Sequence, residues 1–302
     1  MCEFFKKDNN ESGDFNNENV KDCIDVTNEK EKENGFALYL LFSKVPDFNR
    51  KEIKKRIKKI CNSNVEIQNI LEKEDTNNIF GFIDIDGEVF KLVGLDVPLP
   101  KEIINYTVNC AYGQREELEA MNNNTYHIIA FYEGENNDYN AIYNAYAKLA
   151  YGFQEDSFVG MANEYAWNAL TPSIIKELFE DEKLSDFLST PTMMIWRNFV
   201  KMPYEGKVWF VTKGNNIFGI HEYAFKGDSF EDSQQVYDMF EDIFNYEYTS
   251  KSLIVFGNTI QIGDDISIRF RELYEIEDEL QGEGIGTLVL ELITRDEIDE
   301  NQ

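Results

Sequence analysis

The chain has 302 residues, with 57 acidic side chains against 29 basic ones, a net charge of −28 and two histidines. A field of that sign repels nucleic-acid phosphates and anionic lipid headgroups, and it suits a basic protein as partner. A content of 42% hydrophobic and 14% aromatic residues is enough to build a core, and the length suits two packed lobes. Cys2, Cys23, Cys61 and Cys110 are far apart and form no CxxC pair, so neither a zinc site nor a thioredoxin-like motif is indicated. The start, MCEFFKKDNNESGDF, lacks the apolar stretch of a signal peptide or lipobox, and no run approaches the length of a membrane span. The expectation is a cytoplasmic chain with reduced thiols, without membrane insertion.

Residues 1–34 form an Asn-, Glu- and Asp-rich arm, read as mostly disordered, with Val20, Cys23, Ile24 and Val26 as a small apolar cluster. FALYLLFS (36–43) is a continuous apolar run that predicts a buried strand. DFNRKEIKKRIKKIC (47–61) places Ile53, Ile57 and Ile60 on one face of a helix. VEIQNIL (65–71) reads as a strand, and IFGFIDIDGEVFKLV (79–93) as a hairpin turning at Asp86-Gly87. Pro98 and Pro100 introduce a helix over 101–110, and YHIIAFY (126–132) is another buried strand. This succession predicts a first lobe, 35–135, with a ferredoxin-like β-α-β-β-α-β order.

The second lobe, 136–293, opens with a helix over 138–152 whose Ile142, Tyr146 and Leu149 share a face. A short strand SFVGM and a helix over 172–180 follow. MMIWRNFV (193–200), KVWFVTK (207–213) and IFGIHEYAF (217–225) predict an antiparallel meander. Asp228 or Ser229 caps a helix running to about 247. LIVFGNTIQI predicts a hairpin at Gly257-Asn258, ISIRF a strand with Ile266, Ile268 and Phe270 inward, and TLVLELI (287–293) a last strand. Residues 294–302 are an acidic tail. The fold class predicted is α+β, two-lobed, with mixed or antiparallel sheets.

Chemistry-bearing residues are sparse. His127 interrupts a buried strand and reads as a core histidine. His221 and Glu222 are strand neighbours that face opposite ways and form no acid–base pair. No EF-hand loop or GxSxG is present, and GEGIG (282–286) leads into a strand and so aims no helix N-terminus at a phosphate. No cofactor, metal site or catalytic residue is therefore expected. The basic stretch RKEIKKRIKK (50–59) has seven cations and one acid, and reads as the solvated face of its helix. Opposite in sign, the helix over 228–248 sets Val236, Phe240 and Ile243 or Phe244 inward and leaves Glu231, Asp232, Asp238, Glu241, Asp242 and Glu247 as a negative outer face. With the eleven acids and two arginines of 271–302, that face is where a basic partner is expected.

From about residue 36 to 273 the chain resembles the bacterial domain-of-unknown-function family numbered 4261. VTKGNNIFGIHEYAF resembles that family's recurrent Thr-x-Gly, Phe-Gly and Glu, here Thr212, Gly214, Phe218, Gly219 and Glu222. GNTIQIGDDISIRF resembles its C-terminal hairpin, TYHIIAF its strand bearing a histidine (His127), VGMANEYAWNALTPSIIKELF its segment before a Pro-started helix, and VPLP its pre-helix proline motif. The resemblance implies a fold, not an activity, and carries over no catalytic residue.

Two functional expectations stand. The first is an acidic protein-interaction protein of the kind that neutralises a basic toxin or effector, an immunity protein; acidity and the lack of catalytic constellations support it. The second is a small-ligand domain or enzyme with a pocket near 212–222, using Thr212, Gly214, Phe218, Gly219 and Glu222 with His127.

Overall fold

The computed structural model describes residues 36–61, 64–72, 78–181, 188–263 and 265–294. The acidic arm and the tail beyond 294, with the expectations for them, lie outside the described residues. The fold is α+β with two sheets.

The first sheet has seven strands: β1 (Ala37–Phe42), β2 (Val65–Glu72), β3 (Ile79–Ile85), β4 (Glu88–Leu95), β5 (Tyr126–Tyr132), β6 (Phe158–Asn163) and β7 (Asn168–Leu170), in the order β2-β3-β4-β5-β1-β6-β7. Every neighbouring pair is antiparallel. That corrects the expected ferredoxin-like order, which needs a parallel pair at its centre. Here β1 takes β5 on one edge and β6 on the other, while β2, β3 and β4 meander away. It also moves the expected boundary at 135/136, because β6 and β7 join the first sheet.

Alternation along β1 explains why this sheet is covered on both sides. Leu38, Leu40 and Phe42 face a core shared with α1 (Arg50–Ile60), α4 (Tyr139–Gly152) and α5 (Pro172–Glu180), whereas Leu41 faces α2 (Lys101–Tyr106) and α3 (Arg115–Asn122). The α1 helix starts at Asn49, whose side chain accepts from the N–H groups of Lys51 and Glu52. Its Ile53 and Ile57 are buried, and its close approach to α4 rests on Gly152, where a Cβ would stand 2.8 Å from Ile57. The 79–93 hairpin turns at Asp86 and Gly87 with φ of 57° and 92°, both left-handed as its two-residue turn requires. The helix expected over 101–110 is shorter, and the sequence reading passed over α3 and β7.

The second sheet has six strands: β8 (Asn198–Tyr204), β9 (Lys207–Lys213), β10 (Glu222–Gly227), β11 (Thr259–Gln261), β12 (Ile266–Arg271) and β13 (Thr287–Thr294). Their order is β11-β12-β13-β10-β9-β8, mixed because β10 and β13 run parallel. One face packs on α6 (Ser233–Ser250) through Phe210, Tyr223, Phe270, Leu288, Val236, Phe240 and Phe244. The other buries Trp209, Val211, Ala224, Val289 and Leu280. Residues 193–197 are a turn closed by a Met193–Arg197 bridge, not the start of the expected strand, and 216–218 is one turn of 3-10 helix. The hairpin expected at Gly257-Asn258 is absent: β11 pairs with β12, and Gly257 N–H donates to the Phe270 carbonyl.

The two sheets meet at a polar and aromatic seam. Trp196 stacks on Tyr143 of α4 at 5.0 Å, Asn198 donates to the Cys110 and Trp167 carbonyls, and Tyr112 donates to the Phe199 carbonyl.

Candidate functional site

The loop joining β9 to β10 gathers five of the six residues expected at a pocket, but as a filled structural knot. Glu222 is 2% exposed, and its carboxylate accepts from Thr212 Oγ1 at 2.7 Å, Gly214 N–H at 2.8 Å and Asn216 N–H at 3.3 Å. Burial raises its pKa, against the opposing pull of Lys213 and these hydrogen bonds. Gly214 has φ +96° and its Cβ position lies 2.8 Å from Ala166, so glycine is required there for both conformation and close approach. Gly219 ends the 3-10 turn in the left-handed region at φ 71°, and Phe218 packs its ring against Tyr143, Phe244 and Tyr248.

His127 does not join them. It lies on β5, its Nδ1 is 2.9 Å from the Val97 carbonyl, and burial lowers its pKa. It is the core histidine that its strand position predicts.

The acidic face of α6 is divided. Glu247 is 3% exposed; it accepts from the Tyr223 hydroxyl and from Ile254 N–H, and burial pushes its pKa up to about 7. Glu241 receives Arg197 Nη2 at 2.7 Å and Met193 N–H at 2.7 Å. Asp232 accepts from the N–H groups of Asp228 and Ser229 as part of a capping box. Of the six acids expected to face a partner, Glu247 and Glu241 are thus turned inward, because a buried tyrosine hydroxyl and a buried guanidinium claim them. Glu231, Asp238 and Asp242 remain exposed. Glu277 and Glu291 of the C-terminal region are tied to Arg271.

Arg197, which the sequence reading missed, is fully buried. It donates to the Pro191 carbonyl, Asn215 Oδ1 and Glu241, and its guanidinium lies 3.4 Å from the Phe244 ring centroid. A cation inside the apolar run MMIWRNFV was the available signal.

Beside α6 lies a groove of about 990 Å³. Alternation explains its floor. Leu288, Leu290 and Leu292 share the face that packs on α6, yet Leu292 is 48% exposed, since the helix covers only part of that face. Ile266 is likewise 48% exposed, against the expectation that it points inward with Ile268 and Phe270. Ile262, Ile268 and Leu292 line the groove with Met239 and Ile243 of the helix, and Asp228, Asp232, Asp238 and Asp242 lie along it. Lys226 is the single cation among the lining residues.

No family model, curated protein or solved structure matches this chain.

Among the described residues no group of three His, Cys, Asp or Glu could hold a metal ion, and no helix is long and apolar enough to cross a membrane.

Proposed function

We propose that this chain is a protein-interaction protein whose groove beside α6 receives a basic, amphipathic segment of a partner. The carrying observation is the groove's composition: exposed apolar Ile262 and Leu292 beside exposed Asp238 and Asp242, with Lys226 the single cation among its lining. Apolar side chains left open in a groove edged by exposed carboxylates suit an amphipathic partner, and the aspartates select a cationic occupant. The resemblance to family 4261 supports the α+β frame and assigns no chemistry. The narrower form of the reading is an immunity protein that binds a basic toxin or effector in the cytoplasm.

The test is a labelled Lys/Leu peptide patterned as an amphipathic helix, with a scrambled peptide of the same composition as control. The patterned peptide binds and the scrambled one does not. Asp238→Lys with Asp242→Lys weakens binding at least about tenfold at low salt, and Leu292→Ser costs about 1–2 kcal/mol through lost apolar burial. Equal binding of both peptides, or indifference to both sets of substitutions, overturns the reading. For the toxin-neutralising form, the wild-type chain restores growth to cells making the toxin and the doubly reversed variant does not.

A further inference from the structure

The β9 strand ends on Lys213, which is 6% exposed. Among the described residues its Nζ makes neither an ion pair nor a hydrogen bond; it lies 4.5 Å from the centroid of the Trp167 ring. Glu222, a buried carboxylate whose charge acts on Lys213, spends its oxygens on Thr212, Gly214 and Asn216. Trp167 itself is held at φ 49°, an uncommon conformation for a bulky residue and of the kind that functional sites retain. Tyr106 lies 5.7 Å from Trp167 and donates to Glu164, and the charge of Glu283 acts on both Tyr106 and Lys213.

We propose that Lys213 is a carbonyl-reactive amine that condenses with small, uncharged aldehydes. A buried ammonium with no acceptor is costly, and the same burial favours the neutral amine, whose lone pair is the nucleophile. Burial lowers the pKa of Lys213, against the raising effect of Glu222 and Glu283. In the reaction Nζ attacks the carbonyl carbon and the carbonyl π pair moves to oxygen. A proton passes from nitrogen to that oxygen, and loss of water leaves the C=N bond. Glu222 and Glu283 place negative charge around Lys213, so an uncharged aldehyde is admitted ahead of a 2-oxo acid. This site is independent of the groove, and either assignment can fail alone.

The experiment treats the full chain with limiting acetaldehyde and cyanoborohydride at neutral pH. Hydride reduces the imine to a stable secondary amine, and peptide mass spectrometry reads the occupancy of each lysine. Lys213 is modified faster than exposed Lys55, because its burial favours the neutral amine. Glyoxylate reacts at Lys213 more slowly than acetaldehyde. Trp167→Ala, checked for folding by circular dichroism, hydrates the amine and slows its modification. Slower labelling of Lys213 than of Lys55, or faster labelling in Trp167→Ala, overturns the proposal, because both describe an ordinary lysine limited by access. Equal rates with glyoxylate overturn the choice of an uncharged aldehyde.

Discussion

Glu247 and His221 flank the same backbone unit with opposite titrations. Glu247 accepts from Ile254 N–H, and His221 also interacts with the Ile254 backbone. Burial raises the Glu247 pKa from 4.5 to about 7 and lowers that of His221 from 6.5 to about 4. A raised carboxyl contributes stability that is full below pH 4.5 and lost as pH rises through 7. A depressed imidazole contributes stability that is full above pH 6.5 and lost as pH falls through 4. The two slopes oppose each other between pH 4.5 and 6.5. Glu247→Gln removes the falling one, so stability in the variant rises with pH across that window. Relative to the variant, the wild type loses about 3 kcal/mol between pH 4.5 and 7, the linkage value of its shift. Urea unfolding in half-unit pH steps measures this; parallel profiles for the two proteins would show that Glu247 is not held protonated by the fold.

Arg197 and Glu241 join the turn before β8 to helix α6, and they act as an ion pair with added hydrogen bonds. The guanidinium is fully buried and the Glu241 side chain is 16% exposed. Removing either partner strands the other, at a cost of about 3–5 kcal/mol. Arg197→Met and Glu241→Met each destabilise by that order, and the double variant is little worse than the worse single one, because the second removal deletes a charge already without its partner. Chemical denaturation of the four proteins gives the coupling, and simple additivity would mean that the contact contributes nothing specific. The element scale also shows what was legible in the chain. Apolar runs such as FALYLLF and YHIIAFY announced β1 and β5, and Asp86-Gly87 announced its turn. The α3 helix was passed over because REELEAMN buries only Met121, leaving almost no apolar period to read. Strand order was not legible, since the pairing of β1 with both β5 and β6 is decided by packing between segments far apart in sequence. At the candidate site, Thr212, Gly214 and Glu222 could be singled out by their turn chemistry. Lys213 could not, because a lysine at a strand end ordinarily points to water.

At the scale of the whole molecule, charge and apolar surface serve different steps of one encounter. The net charge of −28 is spread over the chain, and part of it is neutralised locally by pairs such as Arg271 with Glu277 and Glu291. Asp238 and Asp242 are exposed and carry no ion pair among the described residues, so their field extends into solvent over the groove. Such a field accelerates the approach of a cationic partner and is screened over about 8 Å at physiological salt. Leu292, at the floor, contributes only once water has been expelled. The two groups therefore separate in kinetics. Reversing Asp238 and Asp242 to lysine lowers the association rate of the amphipathic Lys/Leu peptide at low salt, and the difference from wild type shrinks as salt rises. Leu292→Ser leaves the association rate within about twofold and speeds dissociation about tenfold, the equivalent of 1.4 kcal/mol, at every salt concentration. Stopped-flow association and dissociation across a salt series measures both rates. An association rate that the aspartate reversals leave unchanged at low salt would show that the acidity of this molecule steers nothing into the groove, and that its charge serves solubility alone.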